Sequence, residues 1–383
     1  MFKSLLKNSY AKGAISRFIV GSSLSTGFIF AISANQSVQA KAKAIVAVEP
    51  LVCDLVSAIA PPSTPITCLI DRKQDVHDVK ITPRQAQILR SANHVFTLGS
   101  EMTPAIKKWL DKPVTVDVGV SAIEIDDHSS SKHDAHDDHY DHSDSHGEGA
   151  FEFETDEHFF KDVAGDDVEP IAQVADEGDH HHHNHGGLDP HIWHDPHNII
   201  KMGDVISKNI NKKISLFDRE TKKVLKERTQ SVNSILEDLD KWTQKQVATI
   251  PSNQRTIVSK HKAMEYYGDA FGLKVMSLLD VLGDSSSLRP QTIAKVITEL
   301  KEDNVKVLFA EQKPPSKLLK NLSRQTSTPI ASNQIYSDGL MPTGNTISVA
   351  VHNTCTIVNS LGGECDKKEG DELEGKWNSL INP

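Results

Sequence analysis

Short β-branched runs alternate with amphipathic segments along most of the chain. Ala44–Val48 predicts a strand and Leu51–Ala60 a helix, followed by a second strand over Ile66–Ile70. Thr82 then caps a helix that has Pro83 at its first position and runs to about Ala92. His94–Leu98 predicts a strand, Met102–Leu110 a helix and Val114–Val118 a strand. The pattern breaks there and returns with a helix from about Pro196 to Lys212. From Asp218 to Ala248, Val224, Leu225, Val232, Ile235, Leu236, Leu239, Trp242 and Val247 recur at spacings of three and four. That predicts one helix far longer than the mean of about 12 residues. Beyond it, strands over Arg255–Ser259, Leu273–Leu279, Val305–Ala310 and Pro329–Ser332 alternate with helices over Ala263–Phe271, Pro290–Glu302, Pro315–Gln325 and Thr346–Leu361.

Strand–helix alternation predicts parallel sheets covered by helices. Two such sets separated by one long helix predict an α/β protein of two lobes on a rigid connector. The lobes fall at residues 41–215 and 250–383, with the connecting helix at 216–249. Ligands of such sheets bind beyond the carboxyl ends of the strands.

Two segments stand outside this pattern. Residues 1–40 carry Lys3, Lys7, Lys12 and Arg17, an apolar stretch from Phe18 to Ile32, and the small-residue ending Val38-Gln39-Ala40. That order predicts a signal peptide cleaved after Ala40. An uncleaved anchor is the rival, but the apolar run is short of the roughly 20 residues a bilayer needs. No cysteine sits at the cleavage site, which speaks against a lipid anchor, and no later segment is apolar enough to span a membrane. The mature protein is expected in the periplasm, without nucleic acid as a partner, not membrane-embedded and monomeric.

The second segment, residues 121–188, concentrates the acidity. The chain's net charge is −10, and this segment is so acidic that the remainder of the mature chain is mildly basic. Of 19 histidines in the chain, 12 lie between His128 and His185. A composition this acidic and this poor in apolar residues predicts a disordered loop inserted in the first lobe. Its candidate accessory metal ligands are His128, His133, His136, His139, His142, His146, His180, His181, His182, His183 and His185. The plainer reading is a solvated acidic spacer.

Export makes the cysteines an even set in an oxidising compartment. The sequence-local pairs Cys53–Cys68 and Cys355–Cys365 are the favoured connectivity of three. A four-cysteine zinc site is the alternative, although no C-x₂-C pair is present.

Four residues at strand ends could meet on a metal. His77 follows the second strand, His191 lies just before a helix, His261 follows Ser259, and Asp338 lies beyond Ser332. Two come from each half, so a metal between them would bridge the cleft. Three imidazoles and one carboxylate suit tetrahedral Zn²⁺, whereas Mn²⁺ prefers more oxygen.

The surrounding motifs are more specific. Val76-His77-Asp78 with Thr82-Pro83-Arg84-Gln85, Asp189-Pro190-His191-Ile192-Trp193 with Asp195-Pro196, and Phe309-Ala310-Glu311 resemble the metal-binding solute-receptor family of ABC importers. Within it they are similar to the zinc-uptake, ZnuA-type periplasmic receptors. The resemblance runs from about Lys43 to Cys365. It implies two (βα)₄ lobes joined by a backbone helix, with one Zn²⁺ in the interlobe cleft. His77 and His191 match its first-lobe ligands, His261 its second-lobe ligand and Asp338 its acidic fourth position. Manganese-selective relatives resemble this pattern with a carboxylate at the His261 position. The chain departs from the pattern at Val76, where some zinc receptors carry an acid. It departs again at His194, where an apolar residue is usual, making His194 an alternative ligand, an entry-path helper or a surface residue. Glu265, four residues after His261, is a second-shell candidate against the plainer reading of an exposed helix face; His197 and His352 fit exposed helix positions, and His94 is structural.

The expected function is therefore capture of Zn²⁺ and its delivery to an inner-membrane ABC permease with its cytoplasmic ATPase, by a protein that is not an enzyme. Two alternatives remain. One is periplasmic zinc storage or buffering centred on the loop, with the lobes as scaffold; the resemblance implies that such a loop is often carried at this position. The other is a three-histidine zinc hydrolase, against which no H-E-x-x-H motif and no paired general base are found.

Overall fold

The computed structural model describes residues 45–62, 64–129, 189–213, 219–282 and 290–382. Residues 1–40, read as a signal peptide, and nearly all of the histidine-rich segment lie outside the described residues.

The first sheet is parallel throughout, in the order β2-β1-β3-β4, with β1 Ile45–Ala47, β2 Ile66–Cys68, β3 His94–Thr97 and β4 Thr115–Asp117. Ile45, Val46 and Ala47 are all buried, as is every residue of β3, because helices cover both faces. The covering helices are α1 Pro50–Ile59, α2 Pro83–Ser91, the short α3 Lys107–Leu110, α4 Val118–Ser129 and α5 Pro196–Lys213. Helix α2 starts where Pro83 and a reciprocal Thr82–Gln85 capping box place it. Helix α4 carries the chain to Ser129, so the start of the segment expected as loop from residue 121 is helical. Val118 and Ala122 are fully buried four residues apart, which gives α4 an apolar stripe that docks on the first core.

The backbone helix α6 runs Arg219–Val247. Its residues from Leu225 to Trp242 belong to the first core, and Val247 belongs to the second.

In the second lobe, β5 Thr256–Ser259 pairs in parallel with β6 Lys274–Ser277. The strands expected over residues 305–310 and 329–332 reduce to one bridge, Leu308 to Ile330. Phe309 N donates to Val258 O at 2.9 Å and Leu308 N to Pro329 O at 2.9 Å, so residues 305–310 lie beside β5 and residues 329–332 lie beside them. Pro329 has no N–H to extend the ladder. Helices α7 Glu265–Phe271, α8 Leu278–Leu282, α9 Pro290–Glu302 and α10 Lys317–Thr326 complete this half. The short α8 takes the end of the stretch expected as a strand over residues 273–279.

Helix α11, Thr346–Ser360, also crosses between the cores. Ile347, Val349 and Val351 pack into the first and Ile357 and Val358 into the second. A final helix, α12 Lys367–Ile381, lies beyond the expected closing helix and packs Leu373 and Trp377 into the first core. The buried Asp54 of α1 joins these parts. Its Oδ2 accepts from Thr346 N at 2.9 Å, Thr346 Oγ1 at 2.7 Å and Trp377 Nε1 at 3.0 Å. Burial pushes the Asp54 carboxyl up from its ordinary value despite those donors. Both local disulfides are present, Cys53–Cys68 with Cα atoms 5.5 Å apart and Cys355–Cys365 with 5.2 Å.

Candidate metal centre

The loops at the carboxyl ends of the strands bring four side chains together. His77 lies on the β2–α2 loop, where its N–H donates to Asp75 Oδ1 at 2.9 Å and Val76 is buried beneath it. Gln85 secures that loop by donating from Nε2 to Leu69 O at 2.8 Å. His191 opens the short 3₁₀ turn Ile192–His194 before α5. His261 follows β5, and Asp338 lies on the irregular segment before α11.

Each of His77, His191, His261 and Asp338 offers one donor atom, and these four atoms all lie within 4.8 Å of one another. Asp338 Oδ1 is the centre of the arrangement. It lies 2.9 Å from His261 Nε2, 3.4 Å from His191 Nε2 and 3.5 Å from His77 Nε2. Donors held at about 2.0–2.1 Å by one tetrahedral ion are about 3.3 Å from each other. Two of the three distances match that edge, and the third is shorter because His261 bonds the carboxylate directly. Nε2 of both His77 and His191 is buried with no hydrogen-bond partner. Buried nitrogens ordinarily find one, and here both face the gap that an ion would fill.

Carboxylates behind the imidazoles fix their tautomers. His191 bonds Asp189 Oδ1 through Nδ1 at 2.7 Å, and the same oxygen accepts from His191 N at 3.0 Å. His261 bonds Glu311 Oε2 through Nδ1 at 2.8 Å, while Glu311 Oε1 accepts from Lys260 N at 2.9 Å and His261 N at 3.4 Å. With Nδ1 engaged, Nε2 of each ring is the one left to bind a metal. Asp189 and Glu311 stand in the motifs noted in the sequence, but nothing there identified them as the imidazoles' partners.

The charges follow from the same contacts. Burial works against a charged His261, yet Asp338 and Glu311 overcome it and hold its pKa well above the usual imidazole value. His191 is likewise raised, its burial outweighed by its bond to Asp189 and by the charge of the nearby Asp338 carboxylate. Burial disfavours the Asp338 carboxylate too, but His261 first and then His191 and His77 pull it well below the ordinary range. Asp189 is lowered against burial chiefly by His191. The cluster therefore holds protons near neutrality, and a metal ion has to displace them.

His194 stands outside the cluster. It is buried, and its Nε2 lies 2.9 Å from Ser337 O. A carbonyl only accepts, so Nε2 carries the proton and cannot ligate. Burial pushes its pKa down to about 4. Glu265 pairs with Lys262 at 3.1 Å, on the exposed helix face. His197 is exposed beside Asp195, and His94 is buried in β3. His352, expected on an exposed helix position, is half-buried and bonds Gln334 O at 2.8 Å. The eleven candidate accessory histidines of residues 128–185 lie outside the described side chains.

The chain matches the family described as "Zinc-uptake complex component A periplasmic" (ZnuA) over residues 45–165 and 161–360. Among curated relatives, the manganese-binding lipoprotein MntA of Halalkalibacterium halodurans is 29% identical over 46% of this chain and 58% of its own length. The metal ABC transporter substrate-binding lipoprotein SloC of Streptococcus mutans is 26% identical over 42% of this chain and 50% of its own length. The chain thus spans about half the length of these relatives. The iron ABC transporter substrate-binding lipoprotein MtsA of Streptococcus pyogenes is 22% identical over 85% of this chain and 90% of its own length. Among solved structures, the periplasmic zinc-binding protein TroA of Treponema pallidum superposes with a TM-score of 0.60 at 16% identity, covering 83% of this chain and 99% of TroA. Fe(III)-bound YtgA of Chlamydia trachomatis gives 0.60 at 19% identity, covering 84% and 99%. At these identities the two structures speak for the fold, two α/β lobes about a backbone helix, and the family match spans most of the sequence. The chain belongs to the ZnuA family of periplasmic metal-uptake components.

Proposed function

We propose that the chain is an exported receptor that captures Zn²⁺ in the cleft between its lobes and delivers it to the membrane permease of an ABC importer. His77, His191, His261 and Asp338 are the proposed ligands. The observation that carries this reading is the placement of three imidazole Nε2 atoms around one carboxylate oxygen at distances near a tetrahedral edge. Asp338 offers Oδ1 to the imidazoles, while Ser337 Oγ donates to its other oxygen at 3.3 Å. Relatives are named for manganese and for iron, so the family alone does not choose the metal. The donor chemistry supports zinc over manganese. Mn²⁺ favours oxygen-rich sets, whereas four-coordinate nitrogen-rich sets favour zinc.

The family consists of transport receptors rather than enzymes, which argues against the hydrolase reading. No helix among the described residues is long and apolar enough to cross a membrane. Release needs only a small displacement, because a coordination bond of about 2 Å is lost when donors separate by about 1 Å. Both α6 and α11 cross between the cores, which favours a slight rocking of the lobes over a wide hinge. A storage role rests on the twelve histidines between His128 and His185.

The test is a competition titration of the metal-free protein with Zn²⁺ and Mn²⁺ against a calibrated chelator. The proposal requires one tight zinc site per chain, with manganese at least about 100-fold weaker. Equal affinity for the two ions would refute the choice of zinc.

A further inference from the structure

Asp338 has no regular backbone element of its own. Its side chain is 38% exposed, and it lies on an irregular stretch between Ile330 and α11. Beyond its side-chain bond to His261 at 2.9 Å, what holds it in place is the anchoring of the backbone around it. On one side the anchors come from the second sheet and α11. Ile335 N donates to Ala310 O at 2.9 Å, Tyr336 N to Asn353 Oδ1 at 2.9 Å, and Asn353 Nδ2 to Tyr336 O at 2.7 Å. The bond at Ser337, immediately before Asp338, comes instead from the first lobe, from His194 Nε2 at 2.9 Å.

The origin of that histidine matters. The turn Ile192–His194 begins directly after His191 and is closed by His194 N donating to His191 O at 3.3 Å. One short turn therefore presents His191 to the cluster and His194 to the backbone that carries Asp338. If the first lobe moves relative to the second, both attachments move together.

We propose that His194 is a positioning residue, which ties the Asp338 segment to the first lobe so that the carboxylate is in place only when the lobes are closed. The inference rests on the cleft being a zinc receptor site. His194 acts through Asp338 and touches no metal. Opening the cleft breaks the Ser337 bond, frees the segment and withdraws the charged fourth donor from ligands that the first lobe carries away. A side chain without a donor at residue 194 removes the first-lobe anchor of the Asp338 segment even in the closed protein and leaves it held from the second lobe and α11 alone.

The setting permits a clean test. The His194 ring lies tilted beside Trp193, with centroids 5.4 Å apart, and lines a small cavity with Leu51, Ile199, Leu239 and Tyr267, so a leucine fits the space. Glutamine keeps a donor at a similar reach. Full-length protein loaded with one equivalent of Zn²⁺ is mixed rapidly with excess chelator, and the dissociation rate is read. His194→Leu is expected to release zinc about tenfold faster, as loss of one buried hydrogen bond implies, and His194→Gln to return to within about threefold of the unaltered protein. In an Asp338→Asn background His194→Leu should add less than about twofold, because the residue it acts through is already disabled. An equal effect in both backgrounds would overturn the inference and mark His194 as a packing residue. No effect with Asp338 intact would also overturn it. Thermal unfolding of the metal-free variants separates misfolding from faster release. If the unaltered protein holds no zinc, it is the receptor reading that fails.

Discussion

Replacing Glu311 by glutamine tests how far the site depends on groups that never touch the metal. Glu311 is a three-point acceptor, with Oε2 on His261 Nδ1 at 2.8 Å and Oε1 on two backbone N–H groups at 2.9 and 3.4 Å. A glutamine has one acceptor oxygen and one donor amide, so neither orientation satisfies every partner. With the oxygen on the backbone, the amide faces Nδ1 and drives the proton to Nε2, the atom that must be free to ligate. With the oxygen on Nδ1, two backbone donors face an NH₂ group, each at a cost of about 1–3 kcal/mol. Losing a carboxylate partner behind a ligating histidine typically costs 10–100-fold in affinity, or roughly 1.4–2.7 kcal/mol. Glu311→Gln is therefore expected to weaken zinc binding about 10–100-fold at pH 7 in a chelator-competition titration, with one site retained. The weakening should narrow at lower pH, where His261 in the unaltered protein holds its proton more firmly. A dissociation constant within threefold of the unaltered protein would refute the reasoning about the tautomer.

Further outcomes follow from the same contacts. His191 and His261 have pKa values raised above the usual 6.5 or so, and Asp338 and Asp189 lowered below about 3.8. The stabilisation of the metal-free fold by these pairs is full between those values. It fades as pH rises through the folded values of the histidines, and as pH falls through those of the carboxylates. Zinc affinity runs the other way and should climb with pH while protons are displaced; calorimetry near pH 6 in buffers of different ionisation enthalpy should count one to two protons released, and none would contradict the account. Trp377 is fully buried and donates to Asp54, so Trp377→Ala should destabilise the fold by about 3–5 kcal/mol in denaturant titration. Removing Cys53–Cys68, which spans 15 residues, should cost about 3 kcal/mol while leaving zinc stoichiometry at one.

The first lobe was the more legible in sequence. Its central strands β1 and β3 are buried throughout and lie in short β-branched or apolar runs, and Pro83 with Thr82 marks a helix start directly. The long helix was equally plain because its apolar stripe touches two cores in succession. Helix α12 was missed because nearly half of it is charged and it buries only Gly370, Leu373 and Trp377, a stripe too narrow to stand out. The strands after α9 were over-read, since β-branched composition does not reveal how much ladder a neighbouring proline permits. At the centre, four candidate donors could be named because each sits beside a strand end in a specific motif, and the fold brings those four together. Their carboxylate partners could not be assigned. The Glu311–His261 contact joins residues 50 apart, and nothing local to either encodes it. The same holds for His194, whose bond to Ser337 crosses 143 residues and takes up the Nε2 of a candidate ligand.

The central claim is that the tight site lies in the cleft and not in the histidine-rich segment. The most direct measurement is a chelator-competition zinc titration of protein lacking residues 121–187, alone and with His261→Ala. The account predicts one tight site that survives removal of the segment and collapses on His261→Ala. Loss of all tight binding when residues 121–187 are removed, with the remaining fold intact by circular dichroism, would contradict it and make storage by that segment the better explanation.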